Sequence, residues 1–111
     1  MEVPQSRYDE CCYYYDVKQN NGVSSAGIFN SDIESGVVIL YDKTNLPYFT
    51  EWKMVGKSDY VLGLELGNCT PDGRDILGKE SKLSFLEPEK SKTVKIMFKF
   101  FDNEFDFKGA F

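Results

Sequence analysis

The sequence contains no histidine, and its three cysteines form no C-x-x-C pair. A zinc site therefore has no donor set, and no metal or other cofactor is expected. Cys11 and Cys12 are adjacent and would bridge only with strain, while Cys69 stands alone, as in proteins of reducing compartments. Positive charge is also short: 13 Lys and Arg against 18 Asp and Glu give a net charge of -5. Nucleic acid is excluded as a partner, because phosphate-backbone binding draws its affinity from clustered Lys and Arg. No run approaches the ~20 apolar residues that span a bilayer, so no membrane partner is expected. The opening MEVPQSRYDE lacks the basic and apolar regions of a signal peptide, which makes the cytoplasm the expected location.

What the chain has in quantity is aromatic residues. Nine Phe, seven Tyr and one Trp make up 15% of 111 residues, a load that favours strands over helices. The length suits one domain over residues 1–111, with 1–7 and 102–111 as loose ends. Residues 10–17, ECCYYYDV, read as the first strand. Asn20-Asn21-Gly22 then turns the chain so that 23–30 returns antiparallel. The β-branched run at 36–41, GVVILY, reads as a central strand, and residues 60–66 as another. A single helical turn at most is expected at 74–77, and a short strand at 82–86. From 92 to 101, Val94, Ile96, Phe98 and Phe100 alternate with Lys95, Met97 and Lys99 and predict a long antiparallel strand with one face buried and one partly wet. The tail, DNEFDFKGAF, continues as an added edge strand or a loose extension. About seven strands joined by Gly, Pro and Asn turns predict an all-β antiparallel sandwich.

The segment from Tyr48 to Thr70 carries the candidate chemistry. It holds the sole Trp, Trp52, and an apolar strand that delivers Glu65 with Gly63 and Gly67 on either side. Glycines let the backbone turn or a ligand come close, so a carboxylate there suits a general base or a sugar contact. A plain solvent-facing strand carboxylate is the competing reading. Asn68-Cys69-Thr70 matches the glycosylation pattern, which without a secretory signal reads as chance.

The wording LPYFTEWKMVGKSDYVLGLELGN, followed by LSFLEPEKSKTVKIMF, resembles the C-terminal part of aldose-epimerase-like proteins related to galactose mutarotase. The resemblance covers roughly residues 37–101. It implies part of a galactose-mutarotase-like β-supersandwich and a small-molecule sugar ligand. Glu65 then stands where the family's catalytic carboxylate does, with Trp52, Lys53 and Asn68 as substrate-binding residues. Core and solvated-strand roles for Trp52 and Lys53 remain alternatives.

Three departures weigh on that implication. The family's site histidines lie in segments N-terminal to the matched part, and this chain has none. Leu66 replaces the usual Pro, and Glu87-Pro88-Glu89 lacks the family's turn Gly. A base without its acid cannot run ring opening at an enzyme's rate. The expected function is therefore a carbohydrate-binding β-sandwich that is catalytically incomplete. A structural or self-associating module, with two copies rebuilding the missing half as a homodimer, is one alternative. The other is an epimerase using Glu65 with Asp59, Asp72 or a Tyr hydroxyl as acid.

Overall fold

The computed structural model describes residues 9, 11–58, 60–81 and 83–111. Among the described residues six strands and two short helices follow in order: β1 (Cys11–Tyr15), β2 (Ser24–Asn30), β3 (Ser35–Tyr41), β4 (Tyr48–Val55), β5 (Tyr60–Gly67), α1 (Arg74–Lys79), β6 (Ile96–Phe101) and α2 (Glu104–Lys108). The chain is mostly β, and both of its sheets are antiparallel. It divides into two compact units: Pro47–Glu87 with the described residues before Val17, and Val17–Leu46 with Pro88–Phe111.

The first unit holds a three-stranded sheet ordered β1-β4-β5. Trp52 pairs with Cys12 on one side and Gly63 on the other, and Thr50 pairs with Tyr14 and Glu65. Phe49 and Val55 of β4 are buried, as is Leu77 of α1. Burying such side chains contributes about 1.5–3 kcal/mol each. Helix α1 extends the expected single turn at 74–77 to six residues.

The second unit holds the sheet β2-β3-β6, with β3 central as its β-branched run predicts. Val38, Ile39 and Tyr41 of β3 form its buried heart. Ser24, fully buried opposite Tyr41, donates its hydroxyl to the Lys18 carbonyl at 3.2 Å. Burial pushes the Tyr41 phenol above its ordinary pKa of 10.0, and a hydrogen bond with Ser24 pulls partly against that.

Several expected elements differ. Residues 23–30 do not return onto the first strand: β2 pairs with β3, and β1 with β4. The turn chemistry itself holds, with Asn21 at φ 53°, Gly22 at φ 79° and Asn20 bonded to Val23 at 2.8 and 3.1 Å. The pairing stops at that one bridge because β2 has a closer partner. The Asn30 side chain accepts the Asp32 N–H at 2.9 Å, Glu34 takes a left-handed φ of 50°, and Asn30 closes on Ser35.

Residues 83–86 form no strand, and Lys82 lies outside the described residues, as do residues 1–7 and Glu10. Phe85 and Leu86 are exposed and find no neighbouring strand. The long strand at 92–101 shortens to Ile96–Phe101, since its partner β3 ends at Tyr41, opposite Ile96. Nor is one face buried: Ile96, Phe98 and Phe100 are all exposed. The tail is neither an edge strand nor a loose end. Asn103 accepts the Asp106 N–H at 2.8 Å and caps α2. Phe107 then stacks against Phe29, Phe101 and Phe111 at ring separations of 5.3–6.0 Å, which ties the helix to the sheet.

Candidate functional site

Residues directly opposite in an antiparallel sheet point to the same side, and alternate residues point to opposite sides. The registers of β1, β4 and β5 therefore sort every candidate onto a face. Among the described residues one face carries four rows: Tyr48 opposite Gly67, Tyr14–Thr50–Glu65, Cys12–Trp52–Gly63, and Met54 opposite Val61. Glu65 thus stands between two glycines on its own strand and between two aromatic residues on the neighbouring one. The glycines leave the floor beside it without side chains. The Glu65 carboxylate leans into one of these gaps, its Oε1 lying 2.8 Å from where a Cβ on Gly63 would sit.

Lys53 does not share this face. It projects to the other side with Tyr13, its Nζ 5.9 Å from the Tyr13 ring centre, where Tyr15 also donates to Glu51 at 3.0 Å and meets the Phe49 ring. The sheet brings Glu65 and Trp52 together and keeps Lys53 apart from them. Asn68 is exposed in the bend after β5.

A cavity of about 200 Å³ opens beside Glu65, lined also by Thr50, Leu66, Gly67, Cys69, Thr70 and Pro71. It has one carboxylate, hydroxyl and thiol groups, and no cation in its lining. Thr50 is buried, and Thr70 donates its hydroxyl to Asp72 at 2.5 Å. Asp72 in turn acts on Tyr14. Desolvation against the sheet, then the Asp72 carboxylate, then the Cys12 thiol raise the Tyr14 pKa above 10.0. Asp59 lies outside the described residues. Among the described residues no three His, Cys, Asp or Glu side chains gather as metal ligands, and no helix is long and apolar enough to cross a membrane.

Thr50, Thr70, Tyr48 and Tyr14 were not singled out by sequence reasoning. Neither CCYYY at 11–15 nor YFTEWKMV at 48–55 alternates in polarity, so Tyr14, Tyr48 and Thr50 are gathered only by the β1–β4 pairing, and Thr70 lies in the turn after β5.

A family profile described as a domain of unknown function, DUF4432, matches residues 1–100. The chain belongs to the DUF4432 family. No curated protein and no solved structure matches it. The DUF4432 match takes in all of β1 to β5, and with them Tyr14, Thr50, Trp52, Glu65 and the residues lining the cavity.

Proposed function

We propose that the Glu65 face of the β1-β4-β5 sheet binds a small carbohydrate, and that the chain is part of a galactose-mutarotase-like sandwich. The observation that carries this reading is Glu65 set between Gly63 and Gly67 with Trp52 and Tyr48 across from them. A carboxylate accepts hydrogen bonds from sugar hydroxyls, and a flat aromatic face packs against the C–H side of a sugar ring. Glycines beside the carboxylate leave room for the ring. The sequence resemblance at residues 37–101 supports the same ligand class. With no histidine in the chain, the role proposed is binding rather than rapid ring opening. Trp52 supplies the stacking surface and Glu65 the acceptor, and Lys53 has no part in it.

An amide-resolved NMR titration with hexoses, pentoses and their phosphates tests this. The expected result is shifts clustered on residues 48–52 and 63–70. A well-dispersed spectrum that no sugar perturbs would overturn it.

A second reading, self-association, draws on a different feature. Strand β6 is the outer strand of its sheet and exposes Ile96, Met97, Phe98 and Phe100. Beside it an apolar cavity of about 750 Å³ is lined by Leu40, Tyr41, Val94 and residues 95–98, among others. An unpaired strand edge is complementary to a second copy of itself. Two β6 strands meeting antiparallel about a two-fold axis at Phe98 would set Ile96 opposite the other copy's Phe100, without opposing lysines.

A further inference from the structure

We propose that the cavity beside Glu65 is a seat for a primary ammonium group, held by the Glu65 carboxylate and the Thr50 and Thr70 hydroxyls. The cavity, about 200 Å³, lies wholly within the first unit. At ~30 Å³ for a water-sized group it holds an ammonium and several carbons, but not a whole sugar ring. It takes the end of a ligand, so it stands or falls separately from the carbohydrate reading.

The polar side chains meet the cavity as acceptors. The Glu65 carboxylate can only accept. Thr70 gives its proton to Asp72, so its oxygen offers the cavity lone pairs. Thr50 is 4% exposed and lines the same space. No hydrogen bond holds its hydroxyl among the described residues, and no buried side-chain oxygen or nitrogen there is sealed off without a partner, so that hydroxyl opens on the cavity. Of the remaining lining side chains, Leu66, Cys69 and Pro71, only the thiol is polar, and it is a weak donor.

Three acceptors with no cation among them suit a group with three N–H donors, one positive charge and no lone pair, which describes a primary ammonium. Its bond to the carboxylate is charge-assisted and about twice as strong as a neutral one. An anion would meet Glu65 and, one hydroxyl behind it, Asp72. A neutral alcohol would bring a single donor. Lys53 projects from the opposite face and does not fill the seat from within the chain.

The test is an amide-resolved NMR titration of the full chain with ethylammonium chloride, set beside ethanol, acetate and tetramethylammonium at the same ionic strength. Ethylammonium is expected to give saturable shifts on Thr50 and residues 65–72, and the other three to bind at least about tenfold more weakly. Glu65→Gln should weaken ethylammonium by about tenfold or more, the loss of one charged hydrogen bond, and Thr70→Val severalfold. Glu51→Gln removes the same charge from the opposite face of the sheet and should bind as wild type does. Tetramethylammonium binding as tightly as ethylammonium, or Glu51→Gln weakening it as much as Glu65→Gln, would mean diffuse attraction to an acidic chain and overturn the seat. So would ethanol or acetate binding as tightly, or no shift at all. Hexoses that shift Trp52 while ethylammonium shifts nothing would end this proposal and keep the carbohydrate reading, and the reverse result would do the opposite.

Discussion

A methyl group on Gly63 would meet the Glu65 Oε1 at 2.8 Å, and a carboxylate on a flexible side chain can move aside. Gly63→Ala should therefore leave stability within about 1 kcal/mol of wild type, as benign substitutions do. By pushing the carboxylate off its gap, it should weaken sugar binding by roughly tenfold. Gly36 behaves the other way. A methyl there meets the Phe29 ring at 2.6 Å and the Ile28 carbonyl at 3.0 Å, neither of which can yield cheaply. Gly36→Ala should cost about 1–3 kcal/mol of stability, as overpacking does, without touching the sugar face. Chemical denaturation and sugar titration of both variants check the pair. Glu65 was legible in the sequence because glycines two residues away on either side announce an open strand face. The place of Tyr14 in the same row was not, because it depends on which strand β1 chooses.

That choice belongs to the level of the elements, where sequence patterns gave strand existence more readily than strand partners. Strands β1, β3, β4 and β5 are rich in Tyr, Val, Ile and Leu, and their propensity alone marks them. Pairing is set by competition, and the Asn30–Ser35 loop gives β2 a partner nearer in sequence than β1. The length of β6 is likewise a property of its neighbour, since β3 offers no backbone beyond Tyr41. Helix α2 could have been read from its ends: Asn103 as cap, Asp106 three residues on, and Gly109 at the close. The alternating phenylalanines of the tail hid it by mimicking a strand period. Asn103→Ala removes the side-chain acceptor for the Asp106 N–H and should cost about 1 kcal/mol. Amide exchange should quicken at residues 104–109 before it does in β3. The Lys108–Glu104 pair, 3.1 Å apart and largely exposed, adds too little to rescue the helix.

At the scale of the whole molecule, the charge of -5 opposes self-association at long range, while the apolar edge of β6 favours it at contact. If two copies meet there, light scattering at micromolar concentration should report a dimer, and raising the salt should strengthen it by screening the repulsion. Phe98→Lys would place two like charges face to face on the two-fold axis and should return the protein to monomer. Because Phe98 is exposed in the single chain, the variant should keep its melting temperature within a few degrees at low concentration. A wild-type monomer at every salt concentration would remove self-association and leave the carbohydrate reading untouched.

The order of the segments also sets a timetable for synthesis. The sheet that carries Glu65 is complete once β5 has been made, whereas β3 must wait until residues 96–101 arrive to fill its second edge. During that interval β2 and β3 exist as a bare hairpin, a form that is marginal in water, with the most apolar strand of the chain lying open along one side. A nascent chain that has emerged only to a point between Gly67 and Ile96 has its first sheet paired while its second remains a target for chaperones or for another nascent chain.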